Sequence, residues 1–540
     1  MNHRDTETQR SRDGETGRQG DKRNPSVPLS LSSGWVMVLC FVLIIGVTPV
    51  MQLVKELCSG EPLQEFDLFK RAPTVANLRA YENEMEDNSI VAGAVRPWYQ
   101  WLSTRLAGQG NGEVVIGRDG WLFYRPSLDY IIKPGSSFYR KLAPLPAINA
   151  FHEALKAQGV DLILLPVPGK STIYPEYLSG RYNMESGPPV NLYAPEVFGL
   201  LRARGIQVLD PTDVLWKAKV ERAASLSGLS DSNGETLYIP QDTHWSPRGM
   251  KLVAKSLAGV IEAGGWLTNV PRKSYGIQPV EVKRFGDLYD MLNLPEGHGG
   301  FEPLSTTVEK VLEMETGESW APDTSSPIVL LGDSYANVFS RGEMGWGEHG
   351  GLAEHLALQL GVPIDLIAIN DGGPTTSRES FVRRPNALVG KKLVIWQFAT
   401  RDLTNSGSEW KIVNIPKPQR DIEMVGARHA VPLLVVAAEV TKVSLVPDPG
   451  QVAYSDCVTY IKYRVIAVEQ GEYQDEDLIA VFWGMKDSKL MPAARFQIGE
   501  KHRLSLDLFE NHEELSHIMQ ADDTGDYEHT PFWVLEMSPQ

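Results

Sequence analysis

The chain is poor in cysteine, with three in 540 residues, at Cys40, Cys58 and Cys457. They lie far apart and form no CxxC pair. This excludes a disulfide framework and a thiolate zinc site. Positive charge is also in deficit: 52 Lys and Arg stand against 68 Asp and Glu, a formal net charge of −16. Nucleic-acid binding needs a basic stripe that neutralises phosphates, so no nucleic-acid partner is expected. Broad adhesion to anionic lipid is disfavoured for the same reason. The chain has no internal repeat, and its 11 histidines make no cluster with metal-ligand spacing. His349 and His355 in "EHGGLAEH" lack a third ligand nearby. Neither a metal nor a cofactor is expected.

Long uncharged apolar runs are lacking too, with one exception. Residues 1–32 are polar and aperiodic and read as a disordered tail. Residues 33–54, which contain "GWVMVLCFVLIIGVTPVMQLV", carry no charge. At ~1.5 Å rise per residue such a run matches a ~30 Å hydrocarbon core. It is longer than a signal-peptide apolar region, and no A-x-A site follows it. Lys55 and Glu56 also spoil a lipobox before Ser59. An uncleaved transmembrane anchor is expected. Lys22 and Arg23 precede it, and Glu56, Glu61, Glu65 and Asp67 follow Lys55. The positive-inside rule then puts the N-terminus in the cytoplasm and the body outside it.

After helical stretches over residues 55–110, "EVVIGRDGWLFYRP" reads as a hairpin turning at Arg118-Asp119-Gly120. Apolar runs then alternate with amphipathic ones. The expected strands are "VDLILLPVPGK" (160–170), "IQVLDP" (206–211), "ETLYIPQDTHW" (235–245), "SPIVLLGDS" (326–334), "PIDLIAIN" (363–370) and "KKLVIWQFATRDL" (391–403). Continuous apolar strands between helices predict an α/β fold, a mostly parallel sheet with flanking helices on both faces. Ligands bind such sheets beyond the strands' carboxyl ends. A Pro/Lys-rich linker (412–430) separates this body, 55–420, from a small C-terminal all-β domain, 425–540, a barrel or sandwich with a carbohydrate-binding module as one possible role.

In "SSPIVLLGDSYANVF" (325–339) an apolar strand stops at Gly332-Asp333-Ser334. A nucleophilic serine needs an imidazole to take its proton and a carboxylate to orient the imidazole. The stretch "IPQDTHWSPRGM" offers both, as Asp242 and His244. In extended backbone these two point to the same side. Ser246 suits a helix N-cap and Pro247 its first position. Asp242-x-His244 and Ser334 thus both sit where a strand hands over to a helix. Taken singly, each motif is also what a turn or a core histidine supplies.

The ordered set "GRDGWLFY" (117–124), "LLPVPGKSTIYPEYL" (164–178), "QDTHWSPRG" (241–249), "LLGDSYANVF" (330–339), "GLAEHLALQLG" (351–361) and "VIWQFATRDL" (394–403) resembles the SGNH hydrolase/acyltransferase superfamily. With DTHW upstream of GDSY, the order resembles its permuted branch, the AlgJ/AlgX alginate O-acetyltransferases. The likeness covers residues 110–405. It implies an extracytoplasmic enzyme that moves acetyl groups onto exopolysaccharide hydroxyls, the acetyl being delivered by an MBOAT-type membrane protein. The bulk would be periplasmic, held on the inner membrane by one span. Ser334 would be the acylated nucleophile, His244 the general base and acid, and Asp242 the orienting carboxylate. Backbone N–H groups of Ser334 and Tyr335 would stabilise the oxyanion, with Asn370, Gly372 or Gly373 as a further source. Trp396, Arg401, Lys170, Tyr174 and Asn370 are candidates for sugar contact. Arg378, Arg383, Arg384 and Arg401 are the cations available to offset the acidity toward an acidic polymer. "DDTGDY" (522–527) reads as an acidic loop. A carbohydrate esterase with the same triad and a non-catalytic polysaccharide-binding protein are the alternatives. The β domain has no counterpart in the resemblance.

Overall fold

The computed structural model describes residues 31–59, 74–75, 78–79, 81–82, 89–133, 144–225, 236–384, 386–404, 410–415, 433–447, 449, 452, 454–516 and 518–539. The expected tail up to residue 30, with Lys22 and Arg23, lies outside the described residues, as do Glu61, Glu65, Asp67 and most of the linker. The chain divides at Ala94/Val95 into two compact units. In the first, a helix spans Leu31–Ser59 and covers the apolar run, with Trp35, Leu39, Phe41 and Val42 exposed along it. Among the described residues no helix is long and apolar enough to cross a membrane.

In the second unit, β1 (Val114–Ile116) and β2 (Leu122–Tyr124) form the expected antiparallel hairpin. Asp119 and Gly120 take the left-handed conformation that its turn requires (φ 54° and 79°). Then come β3 (Asp161–Val167), β4 (Gln207–Val208), β5 (Tyr275–Arg284), β6 (Leu304–Glu313), β7 (Ile328–Gly332), β8 (Asp365–Ala368) and β9 (Leu393–Ala399). Five of these make one sheet in the order β4-β3-β9-β7-β8, every pairing parallel. Alternation along the strands feeds two cores. Leu162, Leu164, Val329, Leu331, Val394 and Trp396 pack under the helices Pro144–Ala157, Ala194–Ala203 and Thr376–Val382. Ile163, Leu165, Ile328, Leu330 and Ile395 pack under Pro247–Gly264 and Leu352–Leu360. Both faces are covered, which is why these strands read as unbroken apolar runs.

Two features differ from the sequence reading. Of the expected strand 235–245, the described residues 236–245 are not a strand. Tyr238 and Trp245 share one isolated bridge, and the segment folds on itself as Ile239 N–H donates to His244 O and Asp242 N–H to Ile239 O, both 3.2 Å. Pro240 has no N–H for a ladder, and Lys170 occupies the carbonyls around it. The antiparallel pair β5–β6, in register from Tyr275↔Glu313 to Arg284↔Leu304, was not foreseen. Its exposed polar positions hide it in a sequence searched for apolar runs.

The C-terminal strands are β10 (Leu434–Lys442), β11 (Cys457–Gln470), β12 (Asp477–Lys486), β13 (Lys489–Leu490), β14 (Lys501–Leu508), β15 (Met519–Ala521) and β16 (Pro531–Pro539). The path β12-β16-β14-β10-β11 returns to β12, so the domain is a closed barrel. The loop "DDTGDY" is not a free acidic loop. Asp522 is buried in an ion pair with Arg383, Arg383 Nη1 donates to Asp526 O at 2.7 Å, and Tyr527 Oη donates to Glu379 at 2.7 Å. It bolts the barrel to the helix Thr376–Val382.

Trp396 belongs to the core, contrary to its expected sugar contact. It is fully buried, edge-on to Phe151 at 5.6 Å, with the Arg378 guanidinium 4.3 Å from its ring. The parity of β9 turns residue 396 away from the site. Trp396→Ala is therefore expected to lower stability by about 3–5 kcal/mol, read from urea denaturation. A sugar platform would instead show near-normal stability and a raised KM.

Candidate active site

Asp242 and His244 meet through a side-chain turn rather than through strand geometry. Asp242 Oδ1 accepts from His244 N–H at 3.0 Å and from His244 Nδ1 at 2.7 Å. A short acceptor bonding a backbone N–H two residues on is the local habit of aspartate. Asp242 Oδ2 accepts from Trp346 Nε1 at 2.7 Å and from Asp287 N–H at 3.0 Å. The buried carboxylate thus has four donors. Ser246 then caps the next helix, its Oγ accepting from Gly249 N–H at 3.2 Å, with Pro247 at the first position as expected.

Ser334 arrives from β7. Asp333 caps the short helix Ser334–Asn337, its Oδ1 accepting from Tyr335 N–H at 2.8 Å and from Gln397 Nε2 at 2.8 Å. Gly332 is required here, because a Cβ would sit 2.7 Å from Ala336 Cβ and 2.9 Å from Gln397 Oε1. Ser334 Oγ lies 2.9 Å from His244 Nε2. Tyr335 staples the two turns together. Its hydroxyl donates to Thr243 O at 3.1 Å, its carbonyl accepts from Trp245 Nε1 at 3.1 Å, and its ring stands edge-on to His244 at 5.0 Å.

The structure corrects several other expectations. The Tyr335 N–H is occupied by Asp333 and is not an oxyanion donor. The Ser334 N–H makes no hydrogen bond among the described residues. Lys170 does not face a sugar. It is buried, and its Nζ donates to the carbonyls of Ile239, Pro240 and Asp242 at 2.9, 2.7 and 2.6 Å, fixing the turn that carries Asp242. Burial lowers its ammonium to about 7, against the charges of Asp242 and Asp287. Tyr174 is buried, its ring tilted against Trp121 at 4.6 Å, and its hydroxyl accepts the Leu237 N–H at 2.8 Å. Arg401 is half-buried, its guanidinium 5.2 Å from the ring of Tyr124 and 6.0 Å from that of Tyr335, and its Nη1 has no hydrogen-bond partner among the described residues. Asn370 does reach the loop cluster: its Oδ1 accepts from Asn337 Nδ2 at 2.9 Å, three residues after Ser334.

Asp287 and Trp346 were missed. Asp287 Oδ1 accepts the Thr243 N–H at 2.6 Å, and Oδ2 lies 3.5 Å from His244 Nδ1. Gly286 before it passes so close to the turn that a Cβ would meet Gln241 O at 2.2 Å. The only sequence signal was a Phe-Gly-Asp after a polar stretch. Asp242, His244 and Asp287 put possible ligand atoms within 4.8 Å of one another, yet the His244 and Asp242 atoms are already bonded to each other. His349 and His355 stand apart from this set: His349 Nδ1 bonds Trp320 O at 2.9 Å, and burial lowers His355 to about 4.

The charges are mutually tuned. Burial opposes ionisation of Asp242, but the hydrogen bond and charge of His244 and two backbone N–H groups hold it well below the usual range. Burial likewise opposes the imidazolium, and the hydrogen bond and charge of Asp242, with Asp287 and Asp333, outweigh it, so His244 is raised. Asp287 is raised by burial and by Asp242. Only neutral His244 can take the Ser334 proton, so kcat/KM should rise with pH along one limb whose midpoint lies above about 6.5, the ordinary histidine value. Asp242→Asn should move that limb to lower pH and cut turnover by on the order of 10⁴. An unchanged limb in a pH-rate profile would contradict this.

Residues 114–400 match the family described as the SGNH hydrolase-like domain, acetyltransferase AlgX. A Pseudomonas fluorescens protein named "Probable alginate O-acetylase AlgJ" is 26% identical over 307 residues, 56% of this chain and 71% of the relative. The Pseudomonas aeruginosa protein of that name is 26% identical over 358 residues, 61% of this chain and 81% of the relative. Among solved structures, the O-acetyltransferase domain of Pseudomonas putida AlgJ is similar at TM-score 0.42 and 22% identity, covering 54% of this chain and 92% of that one. Pseudomonas aeruginosa AlgX is similar at TM-score 0.43 and 16% identity, covering 81% and 92%. The chain belongs to the AlgJ/AlgX-type family of SGNH hydrolase-like O-acetyltransferases.

Proposed function

We propose that this enzyme transfers acetyl groups to hydroxyls of an exopolysaccharide through an acetyl-Ser334 intermediate. The single observation that carries the reading is the continuous chain Asp242–His244–Ser334 at 2.7 and 2.9 Å. His244 Nε2 takes the Ser334 proton as Oγ attacks the acetyl carbonyl, and Asp242 stabilises the imidazolium that forms. The Ser334 N–H, with the Asn370 amide oriented by Asn337, supplies donors for the oxyanion. His244 returns the proton to the leaving group. In the second half it takes the proton of a sugar hydroxyl, which attacks acetyl-Ser334 and releases the acetylated glycan.

The relatives named as alginate O-acetylases support transfer over hydrolysis. The esterase reading uses the same acetyl-enzyme with water as acceptor. For topology, the charge-free run Gly34–Val54 and its exposed apolar side chains support a single anchor with the body outside the cytoplasm. An MBOAT-type protein is the proposed partner that supplies acetyl from the cytoplasmic side.

Ser334→Ala should lower turnover of p-nitrophenyl acetate by on the order of 10³-fold or more, because nucleophile and base act as a unit. In the native enzyme an acetylated oligosaccharide should form when acceptor is added. Acetate as the sole product would favour the esterase, and a near-normal Ser334→Ala rate would sink the mechanism.

A further inference from the structure

We propose that the helix Ile90–Ala107 lies in the headgroup layer of the membrane, its apolar face toward the acyl chains, and holds the catalytic body at the lipid surface. The proposal rests on the single-anchor reading above and adds a second membrane contact to it. The helix is amphipathic in the sense opposite to that of a water-facing helix. Val95, Trp98, Tyr99, Leu102 and Leu106 are 57%, 51%, 69%, 47% and 79% exposed, and no residue of the helix is buried. At 3.6 residues per turn these five share one stripe roughly 100° wide. The half-buried side is the polar one. Gln100, Ser103 and Thr104 lie there with Trp101, and Gln100 Nε2 and Thr104 Oγ1 both donate to Gln109 O at 3.1 Å. Trp98 keeps its exposure although its ring centroid lies 5.1 Å from that of His298. A contiguous apolar stripe left open to water marks an interaction surface.

The charge around the stripe suits a bilayer that contains anionic phospholipid. The chain as a whole carries −16, yet no acid stands between Asp87 and Glu113. The acidity that disfavours broad adhesion to lipid is therefore absent from this stretch. Arg96 and Arg105 stand roughly 80–100° to either side of the centre of the stripe, where long cationic side chains reach lipid phosphates while their stems stay in apolar surroundings. Trp98 and Tyr99 are the residue types that collect where a membrane meets water. The first residue of the helix is also tied to the end of the anchor. Gln52, in the last turns of the helix Leu31–Ser59, accepts the Ile90 N–H at 3.2 Å through its Oε1. The end of a span is the depth at which an interfacial helix lies. A second copy of the chain would set two such arginine pairs against each other, with no acid on either helix to offset them. Held at the lipid surface, the body stands where acetyl carried across the bilayer emerges.

The test uses the full chain in vesicles of phosphatidylethanolamine and phosphatidylglycerol. Exposed Cys40 and Cys58 are replaced by serine, and buried Cys457 is kept. A nitroxide label is then attached through Tyr99→Cys, Leu102→Cys or Leu106→Cys, or through Ile498→Cys in the barrel as a control that is equally apolar and 70% exposed. Collisional relaxation of the label by a polar nickel chelate and by dioxygen reports its depth. The three helix labels should meet the nickel chelate ~10-fold less often than the label at 498 and meet dioxygen more often, as residues at the acyl boundary do. Leu102→Glu combined with Leu106→Glu should raise nickel access at 99 to that at 498, with p-nitrophenyl acetate turnover in detergent unchanged. Nickel access at the helix equal to that at 498 overturns the proposal. So does protection of the helix labels from both reagents, which is the result for a second copy of the chain. A chain that alkaline carbonate washes off the vesicles gives a different signature, and overturns the anchor reading and the proposal together.

Discussion

The arrangement of the site depends on keeping one buried carboxylate charged. Asp242 is removed from water, which by itself would neutralise it. Four N–H groups from three separate segments prevent this: His244 contributes two, Trp346 one and the Asp287 backbone one. That satisfaction fixes the imidazole tautomer, aims Nε2 at Ser334, and raises the basicity of the ring. It also explains the close approach at Gly286, where a side chain would drive the β5–β6 connection away from the turn. Lys170 acts on the same turn from behind, through carbonyls rather than through the carboxylate. The chemistry is therefore held by a frame in which each element is tied to the next by hydrogen bonds that burial makes costly to break.

The parallel sheet was legible because its strands are buried on both faces and read as continuous apolar runs. Ser334 and the Asp242–His244 pair were legible because Gly-Asp-Ser after such a run, and Asp-x-His before a capped helix, are local patterns. What brings them together is not local. Tyr335, Trp245 and Thr243 interlock across some 90 positions of sequence, and no spacing rule announces that. The right pair of residues was found with the wrong backbone, since a side-chain turn achieves the juxtaposition assigned to a strand. Trp396 and Lys170 failed as sugar contacts for a common reason. Residue type suggests what a side chain can do, but strand parity and the carbonyls around it decide where it points. Asp287 stayed hidden because it lies in the connection between two largely polar, exposed strands, β5 and β6.

The barrel is more than an appendage by its attachment. Asp522, Asp526 and Tyr527 engage Arg383 and Glu379 on the helix that begins just after the Asn370–Pro374 loop. The seam holds Arg383 in its ion pair with Asp522. The α/β body carries the domain shared with the family.

The most direct measurement is a rapid quench of the enzyme with p-nitrophenyl acetate, followed by intact-mass spectrometry and peptide mapping. The account predicts one acetyl group per chain, located on Ser334 and absent when His244 is replaced by alanine. An enzyme that turns over the ester with no acetyl on Ser334, or with the acetyl on another residue, would contradict it.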